Sequence, residues 1–182
     1  MKPRLVILDR DGVINRDSSA FVKSAAEWQP LPGSLEAIGI LTRANIPVAI
    51  ASNQSGIGRG LFTRKALYAM HRKMRRLARE HGGEIDRILY CPHRPDEGCS
   101  CRKPAPAMIT KLLALYGVAG QDVLVVGDSV RDLDAAVSAG ARPVLVLTGN
   151  GLRSVDELRE RNATVETFDD LLAFANSVTA AA

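Results

Sequence analysis

The sequence is poor in aromatic residues, since Phe, Trp and Tyr make up only 4% of its 182 residues. Proteins that bind single-stranded nucleic acid usually stack the bases on aromatic side chains, so this scarcity counts against such a partner. A hydrophobic core must then be built from Val, Leu, Ile and Ala, which is typical of buried parallel strands covered by helices. The net charge of +4 permits attraction to an anionic ligand but does not indicate nucleic-acid binding.

Long apolar runs and a disulfide framework are also missing. No run approaches the roughly 20 apolar residues that a membrane-spanning helix needs. The three cysteines lie between Cys91 and Cys101, and an odd number crowded into one segment is a poor disulfide scaffold for a secreted protein. We therefore expect a cytoplasmic protein with no membrane partner.

Short apolar runs alternate with helical patterns along the whole chain, which is typical of β-α units that form a parallel sheet. The sequence predicts strands at 5–8, 48–51, 88–90, 123–126 and 144–147, and helices at 34–44, 64–81, 105–116, 131–139, 154–161 and 169–177. We expect one domain over residues 1–182, an α/β fold with a doubly wound, Rossmann-like parallel sheet and helices on both faces. No segment between the predicted strands is long enough for a separate cap domain.

The residues that follow the predicted strands carry the candidate chemistry, because ligands of open α/β sheets bind beyond the carboxyl ends of the strands. Asp9-Arg10-Asp11-Gly12 follows the first strand and Ser52-Asn53-Gln54-Ser55-Gly56 the second. Gly127-Asp128-Ser129 follows the fourth, and Arg102-Lys103-Pro104 comes after the cysteine segment.

These residue types suit phosphoryl transfer. Asp9 and Asp128 can supply hard oxygen ligands to Mg²⁺, and a carboxylate held in this way stays ionised and available as a nucleophile. Asp11 could protonate the departing oxygen and then deprotonate the attacking water. Ser52 and Lys103 are suited to holding the phosphoryl oxygens.

The four segments in this order resemble the haloacid dehalogenase superfamily of aspartate-nucleophile phosphatases. The resemblance covers nearly the whole chain and implies that Asp9 is the nucleophile and a Mg²⁺ ligand. It implies that Asp11 is the acid/base and lends its backbone carbonyl to the metal, and that Asp128 is the third protein ligand. Asp132 would then lie in the outer shell of the metal, toward Lys103.

The cysteine segment predicts a second metal site, a structural one. Cys91, His93, Cys99 and Cys101 form a closed set of three thiolates and one imidazole, which suits Zn²⁺ and leaves no open position for catalysis. Because Lys103 follows two residues after the last ligand, the ion would fix the loop that presents Arg102 and Lys103.

The substrate is indicated by resemblance to two phosphatase families. The zinc loop is similar to that of the D-glycero-D-manno-heptose 1,7-bisphosphate 7-phosphatases, which act in the synthesis of activated heptose for surface glycans, and to that of the histidinol-phosphatases. Residues 52–63 favour the heptose family. That resemblance implies a small phosphorylated sugar as substrate, contacted by a set of polar residues after the second strand and by two cations: Asn53, Gln54, Ser55, Arg59 and Arg102.

Two alternatives stay open at this point. Histidinol phosphate carries an ammonium group, for which Asp17 and Glu27 could serve as partners. The second alternative is a nucleic-acid 3′-phosphatase or a zinc-stabilised module that binds nucleic acid. The low aromatic content counts against both, and a binding module would also leave the carboxylates unexplained. We expect a monomer that binds no nucleic acid.

Overall fold

The structure is a computed structural model that describes residues 2–180. Six strands alternate with six helices. The strands are β1 (Leu5–Leu8), β2 (Val48–Asn53), β3 (Arg87–Cys91), β4 (Val123–Gly127), β5 (Arg142–Val146) and β6 (Glu166–Phe168). The helices are α1 (Ser34–Arg43), α2 (Arg64–Glu80), α3 (Ala107–Tyr116), α4 (Val130–Ser138), α5 (Gly151–Glu160) and α6 (Leu171–Ala180).

All six strands are parallel and form one sheet in the order β3-β2-β1-β4-β5-β6. The predicted doubly wound α/β fold is thereby confirmed, and β6 is an addition that the sequence did not predict. The chain turns from one half of the sheet to the other between the neighbouring strands β1 and β4. At such a switch point the loops diverge above the sheet and leave a crevice for a ligand.

Aliphatic side chains cover both faces of the sheet, as the scarcity of aromatic residues requires. In β1, Val6 and Leu8 belong to one core cluster and Leu5 and Ile7 to the other, and all four are fully buried. Burying an aliphatic side chain of this size contributes roughly 1.5 to 3 kcal/mol. The central strand therefore anchors the residues that follow it, Asp9 to Gly12.

Helix α2 explains much of the positive charge. Its apolar positions Leu67, Met70 and Met74 are buried at helical spacing, and its basic residues lie largely on the opposite side. The helix begins after Thr63, whose side chain accepts a hydrogen bond from the Ala66 N–H. Over residues 2–180 no helix is both long and apolar enough to cross a membrane.

Candidate active site

A cleft of about 360 Å³ lies at the carboxyl ends of β1, β2 and β4. It is lined by residues from the ends of these strands and by the loop that follows β1. The predicted residues Asp9, Asp11, Lys103 and Asp128 all line it. Residues far apart in sequence are therefore brought together where the fold predicts a ligand.

An acidic cluster occupies the floor of the cleft. Carboxylate oxygens of Asp9, Asp128 and Asp132 lie within 4.8 Å of one another. Lys103 is buried beside them, with its Nζ 2.9 Å from Asp9 Oδ1 and 2.5 Å from Asp132 Oδ1. The Lys103 ammonium also donates to the Ala51 carbonyl at 2.7 Å. One lysine thus pairs with two of the three carboxylates, Asp9 and Asp132.

Burial and the charge imbalance shift the protonation of the cluster. Burial, together with the neighbouring carboxylates, raises the pKa of Asp9 to about 7 although Lys103 opposes the shift. Burial and Asp132 raise the pKa of Asp128 to about 6. For Lys103, burial favours the neutral form, but Asp132 and Asp9 outweigh it and raise the pKa above its ordinary value.

The donor set fits a hard divalent cation. Asp9 Oδ1 is buried and, despite its proximity to Lys103, accepts no well-directed hydrogen bond. Because the Lys103 ammonium can balance only one of the three carboxylate charges, the cluster favours a further cation. Oxygen ligands from Asp9 and Asp128 suit Mg²⁺, whereas Asp132 is engaged with Lys103 and with the Ser129 hydroxyl, 2.5 Å from Asp132 Oδ2.

The Asp11 carboxylate is not part of this cluster. It is paired with Arg10, a fully buried residue whose Nη2 lies 2.8 Å from both Asp11 oxygens. Asn15 Nδ2 and Gln54 Nε2 also donate to it, each at 2.8 Å. Burial favours the neutral acid, but the Arg10 guanidinium and these hydrogen bonds outweigh it and lower the pKa of Asp11.

The polar residues at the end of β2 and directly after it mainly support other groups of the site. Asn53 donates to the Lys103 carbonyl and accepts from the Lys103 N–H, both at 3.0 Å. Gln54 Nε2 bridges Asp11 and the buried Ser52 hydroxyl. Asn53, Gln54 and Ser55, the predicted substrate contacts, line the cleft, but the side chains of Asn53 and Gln54 already have protein partners.

The cysteine segment forms the predicted four-donor cluster. The three sulfur–sulfur distances among Cys91, Cys99 and Cys101 are 3.2 to 3.7 Å, and His93 Nδ1 lies 3.3 Å from Cys101 Sγ and 3.5 Å from Cys91 Sγ. Sulfur ligands at tetrahedral angles on an ion with bonds of roughly 2.3 Å are about 3.8 Å apart, close to these values. No disulfide joins the three thiols. The cluster can therefore hold a metal ion.

The cysteine segment contacts both loops that reach the cleft. The Cys91 carbonyl accepts from the Gln54 N–H at 2.7 Å, and the Pro92 carbonyl accepts from the Gly58 N–H at 3.0 Å. Arg102 Nη1 donates to the His93 carbonyl at 3.4 Å. The segment thus positions Arg59, next to Gly58, as well as Arg102.

Besides Arg10, which is paired with Asp11, three arginines line the cleft: Arg59, Arg102 and Arg131. Among residues 2–180, no carboxylate forms an ion pair with any of them. Burial and the neighbouring Arg131 lower the pKa of Arg102, as expected where cations crowd together. This arginine group provides positive charge that an anionic ligand can neutralise.

Sequence reasoning missed three residues of the site: Arg10, Arg131 and Asn150. Arg10 lies between Asp9 and Asp11 in the sequence, and Arg131 lies between Asp128 and Asp132. Only the structure shows that Arg10 is buried against Asp11 and that Arg131 lines the cleft. Asn150 precedes α5 and has the sequence signature of an ordinary helix cap, yet it donates to Asp128.

The parallel sheet and the carboxylate–lysine cluster define a haloacid dehalogenase-like hydrolase. The sequence profile of the HAD-hydrolase-like family matches residues 100–174. The D-glycero-beta-D-manno-heptose-1,7-bisphosphate 7-phosphatase of Pseudomonas putida is 49% identical over 175 residues, covering 96% of this chain and 99% of the relative. The enzyme of the same name from Pseudomonas aeruginosa is 47% identical over 178 residues, with 98% and 99% coverage.

A solved structure agrees with these relatives. The crystal structure of D,D-heptose 1,7-bisphosphate phosphatase from B. bronchiseptica, complexed with magnesium and phosphate, superposes with a TM-score of 0.93 at 49% identity and covers all of both chains. The chain therefore belongs to the family of the heptose-1,7-bisphosphate 7-phosphatases, within the haloacid dehalogenase-like hydrolases. The resemblance inferred from the motifs is confirmed, and so is the class of enzyme, a phosphoric monoester hydrolase.

Proposed function

We propose that this chain is a Mg²⁺-dependent phosphatase that removes the 7-phosphate of D-glycero-D-manno-heptose 1,7-bisphosphate. The observation that carries the proposal is one cleft lined by two groups of opposite charge. Buried carboxylates and Lys103 form its floor, and Arg59, Arg102 and Arg131 line it without carboxylate partners. A substrate with two phosphates can place one at the carboxylates for transfer and the other against the arginines.

The reaction would proceed through an aspartyl phosphate. An Asp9 oxygen attacks phosphorus while the bond from phosphorus to the sugar oxygen breaks, and Asp11 gives a proton to that oxygen. Asp11 then takes a proton from water, which attacks the same phosphorus, releases phosphate and restores Asp9. Lys103 and Ser52 would hold the phosphoryl oxygens. A bound Mg²⁺, held by Asp9, Asp128 and the Asp11 carbonyl, would neutralise charge on the transferred group.

The contacts of Asp11 fit one of these two steps directly. Its pairing with Arg10 lowers the pKa and favours the ionised form, which is the base that the hydrolytic step requires. To act as the acid in the first step, the Asp11 carboxyl must carry a proton and give up the Arg10 pair. The substrate would have to bring about that change when it binds.

Histidinol phosphate is the less favoured substrate. Of the two carboxylates considered for its ammonium group, Asp17 lines the cleft, whereas Glu27 is exposed and accepts from the Lys23 N–H outside the cleft lining. Both Pseudomonas relatives are named for the heptose bisphosphate. Phosphate release from heptose 1,7-bisphosphate, other sugar bisphosphates, histidinol phosphate and a 3′-phosphorylated oligonucleotide tests the choice. Preference for either of the last two would overturn the proposal.

We further propose that zinc is the ion of the cysteine cluster and that the protein is a cytoplasmic monomer that binds no nucleic acid. The reduced thiols fit a reducing compartment.

Arg59→Ala should weaken recognition of the phosphate that is not removed. Arg59 is exposed in the loop after β2 and has no carboxylate partner, so its loss removes a charged hydrogen bond to substrate. We expect kcat/KM for the bisphosphate to fall by roughly 10- to 150-fold, mostly through KM. Hydrolysis of the matching 7-monophosphate should change much less.

Steady-state kinetics on both substrates check this prediction. Arg64→Ala is the matched control, because Arg64 is an exposed arginine at the start of α2 that does not line the cleft. Equal losses on bisphosphate and monophosphate would show that Arg59 supports its loop and does not bind the second phosphate.

Magnesium binding should weaken as the pH falls. The pKa values of about 7 for Asp9 and about 6 for Asp128 mean that protons compete with the ion over this range. The affinity should drop by up to about tenfold per pH unit for each carboxylate that is protonated. Calorimetric titration in buffers of different ionisation enthalpy should show proton release at about pH 6.5 and much less at about pH 8.5. An affinity that does not change between these conditions would contradict the prediction.

A further inference from the structure

The two oxygens of Asp128 differ in their surroundings. Oδ2 accepts hydrogen bonds from the Asn150 backbone N–H at 2.8 Å and from Asn150 Nδ2 at 3.0 Å. Oδ1 accepts none from the described residues. The backbone of Asp128 is fixed as well, because the buried Ser154 hydroxyl donates to its carbonyl at 2.8 Å. The segment after β5 thus determines which oxygen of Asp128 is left for another ligand.

The side chain of Asn150 does not cap the helix that follows it. It stands at the N-cap of α5, where asparagine normally accepts a hydrogen bond from the first turn of the helix. No such side-chain bond forms here. The amide instead donates to Asp128 Oδ2 and, at 3.3 Å, to Asp17 Oδ2 at the mouth of the cleft.

The loop that carries Asn150 is fitted closely to the carboxylate. Gly149 has a φ of 59°, and a Cβ at either Gly149 or Gly12 would overlap Asp128 Oδ2. Thr148 Oγ1 donates to the Gly12 carbonyl at 2.6 Å and ties this loop to the segment after β1. Asp128 Oδ2 is therefore enclosed by Gly12, Gly149 and Asn150.

From these contacts we propose that Asn150 is a positioning residue for the divalent cation. Its side-chain amide holds Asp128 Oδ2 and so presents Oδ1 to the ion, as hydrogen-bond partners of ligating carboxylates do in other metal sites. This proposal rests on the proposed function, in which Asp9 and Asp128 bind Mg²⁺. It concerns binding of the ion and requires no contact between Asn150 and the substrate.

The test is Asn150→Ala, measured by binding of Mn²⁺ as an electron-paramagnetic probe of the magnesium site in protein that retains its cysteine-cluster metal. We expect the dissociation constant to rise by about tenfold, the lower end of the range for such partners, because the backbone N–H remains. Because the backbone N–H of Asn150 still donates to Asp128 Oδ2 and the side chain does not cap α5, thermal unfolding without divalent cation should change little.

Two variants complete the experiment. Asp9→Asn gives the background binding outside the site. Thr148→Val removes the hydrogen bond to the Gly12 carbonyl from the same loop without touching Asp128, so it reports loosening of the loop alone. An Asn150→Ala affinity equal to wild type, or an equal loss in Thr148→Val, would overturn the role of the amide and leave the proposed function intact. Wild-type binding no stronger than the Asp9→Asn background would contradict the magnesium site of the proposed function itself.

Discussion

Replacing Asp9 with asparagine should abolish phosphate release, with a loss of roughly 10⁴-fold or more, as when a catalytic nucleophile is removed. An amide is neither a competent nucleophile nor an anionic ligand for Mg²⁺. Asparagine retains the size of the side chain, so the buried Lys103 keeps a polar neighbour. Rapid-quench trapping should detect a phosphoenzyme in the wild type and none in Asp9→Asn.

Asp11→Asn is the matched comparison, because it removes the acid/base and leaves the nucleophile. With an aryl phosphate, whose leaving group needs little protonation, this variant should form the phosphoenzyme and then hydrolyse it slowly. General acid–base catalysis contributes about 10² to 10⁴, and the hydrolytic step should slow by that factor. If Asp9→Asn forms a phosphoenzyme, or if it releases phosphate at a near-wild-type rate, Asp9 is not the nucleophile.

The purified protein should contain about one zinc ion per chain, and Cys101→Ser should lose it. The segment from Cys91 to Cys101 is mostly exposed and polar, so it lacks a core that could hold it without the metal. We expect loss of the ion to expose this segment to proteases before the sheet unfolds. Metal analysis and limited proteolysis with and without a strong chelator measure both effects.

Ser100→Ala is the control for this experiment, since Ser100 lies between two of the ligands, is exposed and offers no sulfur. It should keep its zinc and its resistance to proteases. Protein that carries no tightly bound zinc when prepared under reducing, metal-replete conditions would contradict the assignment. So would a disulfide between Cys99 and Cys101.

The sequence predicted the strands with strong hydrophobic signals and missed the weakest one. Strands β1, β2 and β4 consist mainly of buried aliphatic residues, so the apolar runs in the sequence locate them. Strand β6 has only three residues, Glu166 to Phe168, and the first two are exposed at the edge of the sheet. An edge strand that is held by backbone hydrogen bonds to one neighbour, and whose side chains are mostly exposed, has no hydrophobic pattern in the sequence that would predict it.

The site was predictable where chemistry follows a strand end and unpredictable where it depends on side-chain direction. Asp9, Asp128 and Lys103 meet because parallel strands end at one edge. By contrast, whether Gln54 faces a substrate or a neighbouring carboxylate depends on its rotamer, and the structure shows it bound to Asp11. Arg131 lies in the first turn of α4, and only the orientation of that helix places it in the cleft.

The position of β1 between β2 and β4 has a consequence for synthesis of the chain. Strand β1 can pair with β2 soon after residue 53 has left the ribosome, but its other edge waits for β4, which begins at Val123. Until then a wholly apolar strand edge is open, which is the kind of edge that invites pairing with another chain. Because Asp128 is carried by the same late strand, the acidic cluster assembles only when that edge has closed. No nascent fragment that ends before β4 can hold the cluster, so tight binding of the divalent ion would also report that the central sheet is complete.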